Sequence, residues 1–181
     1  REAVSAFMFR LASNPAYNPS GQSFSDVPLT HPFYEEIEWM VDDGIASGFN
    51  DGSFRPGAIV TRQAIASFIY RLLGSPLPPP NLPWVFNDVS PGHRFFVPIM
   101  FIWNFYIADG YSTPFGDVLR PSNAVTRQAA TAFLYRTDQL LEGTSAGAGG
   151  ASGSGGGAGA ENRGLAWDVD VPAEVAAALA S

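Results

Sequence analysis

The side chains best suited to chemistry in this sequence are two arginines that follow a threonine, in Thr61-Arg62 and Thr126-Arg127. A run with helical apolar spacing comes directly after each pair, so the threonine hydroxyl can accept a hydrogen bond from a backbone N–H as an N-cap. The arginine then offers forked donors beside free N–H groups and the positive end of a helix dipole. This arrangement suits a carboxylate or another acid group and predicts anion binding.

Residues for catalysis or metal binding are scarce. The chain has no cysteine, and its two histidines, His31 and His93, share no metal-ligand spacing. No serine or cysteine motif lies near them for activation, and their equivalent positions reflect an internal repeat better than a catalytic need. The sequence therefore predicts no enzyme activity, no metal site and no cofactor.

Charge and hydropathy exclude two further classes of partner. Seventeen acidic and ten basic residues give a net charge of -7, which repels nucleic acid at long range. The longest apolar stretch, from Phe95 to Ala108, contains a proline and an asparagine and is shorter than the about 20 residues of a membrane-spanning helix. No signal peptide opens the chain. We expect no nucleic-acid partner and no membrane insertion.

An internal repeat of 62 to 65 residues organises most of the chain. Residues 24–27 (Phe-Ser-Asp-Val) return as residues 86–89 (Phe-Asn-Asp-Val), and residues 60–64 (Val-Thr-Arg-Gln-Ala) return unchanged as residues 125–129. The offset grows from 62 to 65, so the second copy has a three-residue loop insertion. The first 11 residues superpose on the start of the second helical run, so the chain begins inside a repeat and lacks that repeat's first half.

Each full repeat is predicted to form a helix, a loop and a helix. The first helix is amphipathic, with Glu35, Glu36 and Glu38 on its polar side, and should end at Gly44. Turn-forming residues then fill the loop over residues 48–56. The second helix is predicted from about residue 62 to 73.

Equivalent positions on the repeats receive structural roles. Phe7, Phe68 and Phe133 recur on the second helices, and their helical spacing predicts that they lie in the central core. Asp26 and Asp88 precede a helix, where aspartate usually closes a turn or a cap, and we leave them out of the site.

Three motifs occur in a fixed order: Phe-x-Asp-Val, then Gly-Phe-x-Asp-Gly-x-Phe-x-Pro, then Val-Thr-Arg-Gln-Ala. Together they closely resemble the S-layer homology domain over residues 1 to about 141. The resemblance implies a mainly α fold whose helix-loop-helix repeats pack as a pseudo-threefold bundle. It also implies a secreted bacterial cell-surface module whose grooves bind secondary cell-wall polysaccharide, often through a pyruvylated sugar. The expected carbohydrate-binding residues are Thr61, Arg62, Gly48, Phe49, Asp51, Arg55, Thr126, Arg127, Gly110 and Tyr111.

These residues have a structural alternative. Glycines in Gly48-Phe49 and Gly110-Tyr111 would let the backbone approach a sugar while the aromatic ring stacks on its apolar side. In the alternative interpretation, the threonines only cap helices and the arginines pair with aspartates of a neighbouring repeat.

The second full repeat departs from the pattern, because its first helix is apolar on nearly all sides. Valine, proline, methionine and phenylalanine replace four acidic residues of the first repeat. Such a surface either contacts a partner or is buried within this chain. The candidate assembly residues on it are Phe96, Phe101 and Trp103.

The C-terminal part changes composition. We predict half a repeat over residues 1–23, full repeats over 24–80 and 81–142, a Gly/Ala/Ser linker arm over 143–164 and a segment with a short helix over 165–181. The last segment echoes the front of a repeat and could complete the first repeat, in cis or on the next subunit. The alternative function is therefore a homo-oligomeric S-layer-like or filament subunit that polymerises by exchange of this arm. Its predicted anchors are Trp167, Val171, Val175 and Leu179.

Overall fold

The computed structural model describes the backbone of residues 1–147 and the side chains of residues 1–142. The described part is mainly α-helical, as predicted. Its elements are α1 (Glu2–Leu11), α2 (Tyr34–Asp42), α3 (Arg62–Leu72), α4 (Phe96–Asn104), β1 (Tyr111–Thr113), β2 (Gly116–Val118) and α5 (Arg127–Gly147). The predictions for the C-terminal segment, including those for Trp167, Val171, Val175 and Leu179, lie outside the described residues.

The helix boundaries follow the repeat. Helix α3 covers residues 62–72, one residue short of the predicted end. Helix α2 stops just before Gly44, whose φ of 71° a helix cannot contain, and the equivalent residue after α4, Tyr106, has a φ of 55°. The insertion in the second repeat forms the antiparallel hairpin of β1 and β2. Helix α5 continues to Gly147, five residues into the segment predicted as linker, since extending an existing helix costs less than starting one.

Helices of adjacent repeats pack together. The second helix of one repeat packs against the first helix of the next, in the pairs α1–α2 and α3–α4, and α1 also contacts α5. One continuous hydrophobic core results, with Met8, Ile37, Ile65 and Leu141 fully buried. Each helix therefore contributes its apolar face to a core shared between repeats.

The aspartates of the Phe-x-Asp-Val motif hold the loop of their own repeat. Each carboxylate accepts two backbone N–H groups at distances of 2.7–2.8 Å. Burial alone would raise the pKa of Asp26, but the two N–H donors outweigh it and lower that pKa below its ordinary value. A structural role is confirmed, but each carboxylate holds a loop 28–32 residues further along the chain, not a turn or a helix cap beside it. The donors are Phe54 and Arg55 for Asp26, and Leu119 and Arg120 for Asp88.

The prediction of a core position is wrong for one of the three phenylalanines. Phe68 and Phe133 are 8% and 5% exposed, whereas Phe7 is 44% exposed. Helix α1 turns its other faces to α2 and α5, and no described helix covers the side that carries Phe7. A residue that helical spacing assigns to a core needs a partner element to bury it.

The apolar helix α4 is buried within the chain. Phe96 is 8% exposed and Phe101 is fully buried against α3, so the prediction that these two residues face a partner is wrong. Trp103 is half-buried.

Glu38, predicted on the polar side of α2, is also buried, and its carboxylate accepts the backbone N–H of Ser23 at 2.9 Å. Its charge is compatible with burial because it is hydrogen-bonded.

Candidate carbohydrate-binding grooves

A cavity of about 610 Å³ lies between the first full repeat, the start of α1 and the start of the second full repeat. We call it the first groove. One wall is the loop over residues 47–55, and the opposite wall is the face of α3 that carries Ser67, Phe68 and Arg71. Arg1 contributes from the start of α1, and Arg94 contributes from the segment before α4.

The loop wall takes its shape from short contacts. A Cβ atom at Gly48 would overlap the ring of Phe24, so only glycine lets the backbone pass there. Asp51 accepts hydrogen bonds from the backbone N–H and hydroxyl of Ser53, at 3.1 and 2.6 Å, and pairs with Arg55 at 2.8 Å. These hydrogen bonds from Ser53 and Arg55 lower the pKa of Asp51 to about 2. The carboxylate therefore keeps Arg55 at the mouth of the groove.

Two guanidinium groups contact one aromatic ring in the first groove. The guanidinium carbon of Arg55 lies 3.8 Å from the ring centre of Phe49, and that of Arg1 lies 5.0 Å from it. Arg1 also donates through Nη2 to the carbonyl of Ser47 at 2.9 Å, while its buried Nε has no hydrogen-bond partner within the described part of the chain. Burial, followed by repulsion from Arg55, lowers the pKa of Arg1. An acidic ligand would relieve both effects.

The first groove is cationic in an acidic protein. Four arginines line it, Arg1, Arg55, Arg71 and Arg94, and Asp51 is the one carboxylate among its lining residues. The whole chain, by contrast, has a net charge of -7. Guanidinium groups donate in a planar fork that matches a carboxylate. The groove is thus suited to an acidic, hydrogen-bonding ligand.

The next repeat builds an equivalent cluster, which we call the second cluster, from Arg62, Tyr111 and Arg120. Arg62 is 6% exposed, and its Nε donates to the carbonyl of Leu119 at 2.7 Å while its Nη1 lies 3.4 Å from the hydroxyl of Tyr111. The guanidinium carbons of Arg62 and Arg120 lie 5.0 and 4.5 Å from the ring centre of Tyr111. Burial lowers the pKa of Arg62. Its Nε and Nη1 are directed at protein atoms.

The predicted site residues therefore divide into separate groups. Gly48, Phe49, Asp51 and Arg55 line the first groove with Arg1, whereas Arg62 belongs with Gly110 and Tyr111 of the following repeat. The sequence grouped an arginine with the loop of its own repeat, but Arg1 and Arg62 each contact the loop of the next repeat. Because α1 and α3 begin one repeat apart, the start of each helix lies beside the loop of the repeat that follows it.

The predicted cap at Thr61 is wrong, because its side chain makes no cap hydrogen bond. The N–H groups of Arg62 and Gln63 at the start of α3 instead donate to the carbonyls of Asn123 and Pro121, both at 2.9 Å. These N–H groups are therefore not free for an anion, contrary to the expectation for a helix start. In the first groove the side chains of the arginines remain the available donors.

Thr126 and Arg127 belong to neither the first groove nor the second cluster. The hydroxyl of Thr126 accepts the N–H of Ala129 at 3.1 Å, so the predicted cap is confirmed for this copy. Arg127 begins α5, as predicted, but its side chain is exposed and lines neither the first groove nor the second cluster. The structural reason is that no loop of a following repeat covers this helix start in the described part.

Sequence reasoning missed Arg1, Arg71 and Arg94. The superposition of residues 1–11 on residues 62–72 already made Arg1 the counterpart of Arg62, and that signal could have found it. Arg71 recurs in the repeat as Arg136, and each donates to a carbonyl of its own repeat. Arg94 has no such signal.

The described residues contain neither a metal-binding cluster nor a membrane-spanning helix. Residues 1–142 hold no group of three or more histidine, cysteine, aspartate or glutamate side chains placed to bind a metal ion. None of the described helices has both the length and the apolar character needed to cross a membrane.

Part of the chain is similar to known proteins. Residues 23–66 match the family model of the S-layer homology domain. The chain is 34% identical over 58 residues to an S-layer protein of Bacillus thuringiensis subsp. finitimus, and this match covers 32% of this chain and 7% of that protein. It is 48% identical over 50 residues to the outer membrane protein SlpA of Thermus thermophilus, a match that covers 28% of this chain and 6% of that protein.

A similar match, 33% identical over 58 residues, links the chain to the S-layer protein sap of Bacillus anthracis. The match covers 7% of that protein, so each of these relatives is matched over less than a tenth of its length. Residues 23–66 therefore match an S-layer homology domain, and the chain is similar to these S-layer and outer membrane proteins over 28–32% of its length.

Proposed function

We propose that this chain is a non-catalytic cell-surface module that binds secondary cell-wall polysaccharide through the first groove. The observation that carries the proposal is the collection of four guanidinium groups around one cavity in a chain with a net charge of -7. Such a local reversal of charge attracts an acidic ligand and costs stability unless a ligand compensates it.

The contacts of each arginine suggest how the ligand is bound. Arg55 is fixed by Asp51 and by the ring of Phe49, which leaves part of its fork directed outward. Arg1 has an unpaired Nε and a lowered pKa, so an acid group of the ligand beside it restores a favourable charge balance. Phe49 is 38% exposed, and its open part can contact the apolar side of a sugar ring.

The proposed architecture is a pseudo-threefold bundle. Its support is that α1, α3 and α5 carry the same motif and that the first and last of them are in contact. In this arrangement the first groove is one of several grooves between repeats, and Arg1 and Arg62 at the starts of α1 and α3 point to the loop of the next repeat.

The test is sedimentation of the protein with purified, acid-containing cell-wall polymer. We expect Arg1→Gln and Arg55→Gln each to weaken binding by about tenfold, the loss of one charge-assisted contact. Arg10→Gln is the matched control, because Arg10 is exposed and does not line the groove. Binding that is indifferent to both groove variants would contradict the proposal.

A second function, self-assembly through the C-terminal arm, is favoured by one observation. Phe7 on α1 is 44% exposed, although its equivalent on α3, Phe68, is 8% exposed. We propose that residues 165–181 cover Phe7, in cis or on a neighbouring copy. Phe96 and Phe101 take no part, because they are buried within the chain.

Light scattering of the purified chain tests the second function. If the arm is exchanged between copies, removal of residues 161–181 converts oligomers to monomers. If the arm docks in cis, the full chain is monomeric and truncation increases binding of a hydrophobic dye at Phe7. An assembly state and dye binding that both survive truncation unchanged would rule the arm out.

A further inference from the structure

The first groove holds more positive charge than one acid group requires. Arg1 and Arg55 meet at the ring of Phe49, whereas Arg71 and Arg94 come from α3 and from the next repeat. We propose that the groove recognises two carboxylates, carried by adjacent sugar residues of one acidic saccharide, and that Arg94 determines the preference for the second one. This inference rests on the proposed function and specifies the substrate class of the same site.

Separate anchoring of two guanidinium groups supports a ligand with two charges. Arg1 donates to the carbonyl of Ser47 at 2.9 Å, and Arg71, from the opposite wall, donates to the carbonyl of Ile45 at 3.2 Å. The two cations are therefore held by different backbone carbonyls, and each can contact one of two neighbouring acid groups in the forked geometry.

Arg94 differs from the other arginines of the groove. It is exposed, and its guanidinium carbon lies 5.4 Å from the ring centre of Phe95. No salt bridge joins it to a carboxylate of the described residues, and it makes no side-chain hydrogen bond among them. Pro32 occupies the equivalent position one repeat earlier, so the helix-loop-helix unit does not need a cation there.

The arginines of the groove therefore have different tasks. Arg71 also joins α3 to the segment before the loop, and its substitution would disturb the wall itself. Arg94 is held by no such contact, and its charge can be removed with little effect on folding. It is the residue whose function can be separated from stability.

The test uses two synthetic disaccharides and isothermal titration of the full 181-residue chain at low ionic strength. Both probes carry a pyruvyl ketal on the terminal sugar, and the second sugar is glucose in one probe and glucuronic acid in the other. We expect the dicarboxylate probe to bind about tenfold more tightly than the monocarboxylate probe. Arg94→Gln should remove most of this gain, whereas Arg94→Lys should retain part of it.

The outcomes separate this inference from the proposed function. Equal affinities of the unmodified chain for the two probes would overturn the two-carboxylate inference while leaving a monoacidic ligand possible for the groove. A gain that survives in Arg94→Gln would overturn the role of Arg94. Absence of binding by either probe and by the cell-wall polymer would overturn both the inference and the proposed function. Arg10→Gln, outside the groove, should behave as the unmodified chain.

Discussion

The first groove and the second cluster are built from equivalent residues of successive repeats, yet their arginines differ in accessibility. In the first groove, Arg1 is half-buried and retains an unpaired Nε beside an open cavity. In the second cluster, Arg62 is almost fully buried and its Nε donates to a buried carbonyl. The same motif position thus supplies a cation that can meet a ligand in one copy and a structural cation in the other.

The loop that follows the glycine and the aromatic residue accounts for the difference. The first repeat has an Asn-Asp-Gly turn, in which Asp51 fixes Arg55 at the mouth of the groove. The second repeat has the hairpin of β1 and β2, and the hydroxyl of Tyr111 lies near Arg62. Phe49 has no hydroxyl with which to engage Arg1. The three-residue insertion and the hydroxyl of Tyr111 thus accompany the change from an accessible arginine, Arg1, to a buried one, Arg62.

The largest expected difference between the two regions concerns their glycines. A Cβ at Gly110 would lie 2.5 Å from the ring of Phe86 and 2.8 Å from the carbonyl of Val118, and the φ of Gly110 is +79°. We expect Gly110→Ala to lower the free energy of unfolding by about 3 kcal/mol and Gly48→Ala by about 2 kcal/mol, because Gly48 has the clash without the positive φ. Urea denaturation measures both.

Gly57→Ala is the matched control for these substitutions, since nothing lies within 4 Å of an added Cβ there. It should change the free energy of unfolding by less than about 0.5 kcal/mol. If Gly48→Ala and Gly110→Ala proved as mild as the control, the close approach of both loops to the phenylalanine rings would be refuted.

Substitution of Arg62 should mainly lower stability, whereas substitution of Arg1 should mainly weaken polysaccharide binding. Arg62→Ala leaves the carbonyl of Leu119 buried without a donor and should cost about 2 kcal/mol of unfolding free energy. Arg1→Ala removes a hydrogen bond at an exposed carbonyl and should cost about 1 kcal/mol or less, while it weakens polysaccharide binding more than Arg62→Ala does. Both variants are measured by urea denaturation and by sedimentation with cell-wall polymer. The order of the two effects should be reversed between the two measurements. A larger stability loss for Arg1→Ala would contradict the distinction.

The smallest expected effect is the pH response of the first groove's loop. Asp51 has a pKa of about 2 because Ser53 and Arg55 stabilise its ionised form. A carboxyl whose folded-state pKa is depressed stabilises the fold above its ordinary pKa, and this contribution disappears as the pH falls through the folded-state value. Asp51 should therefore remain ionised at pH 3 in an NMR titration. In Arg55→Gln its midpoint should move up towards the ordinary value, and an unchanged midpoint would contradict the pairing.

Much of the fold could be predicted from the sequence because the signals are local. Apolar spacing located α3 to within one residue, and the recurrence of Val-Thr-Arg-Gln-Ala located the starts of α3 and α5. A structural role for Asp26 and Asp88 was also predictable, but their donors were not, because these lie 28 and 31 residues further along the chain. The exposure of Phe7 was not predictable, because periodicity indicates which face of a helix is apolar but not which element covers that face.

The candidate site was predictable only in part. The loop residues Gly48, Phe49, Asp51 and Arg55 were correctly brought together by their adjacency in the chain. The arginine assigned to this loop, Arg62, was wrong, because Arg1 of the preceding repeat contacts the loop instead. Arg1 and the loop are far apart along the chain, so no local signal links them. Arg94 reaches the same groove from the following repeat, and nothing in its neighbourhood of the sequence indicates this position.

By itself, the sequence determined the period, the helix-loop-helix unit and the residue types at each position, because these depend on hydrogen bonds and apolar spacing within a few turns of chain. Tertiary structure decided which repeat each arginine serves and whether its charge is satisfied by protein or left for a ligand. The physical reason is that the free energy of a guanidinium depends on its burial and on every acceptor within reach. For Arg1 and Arg62, those acceptors lie almost fifty residues or more along the chain.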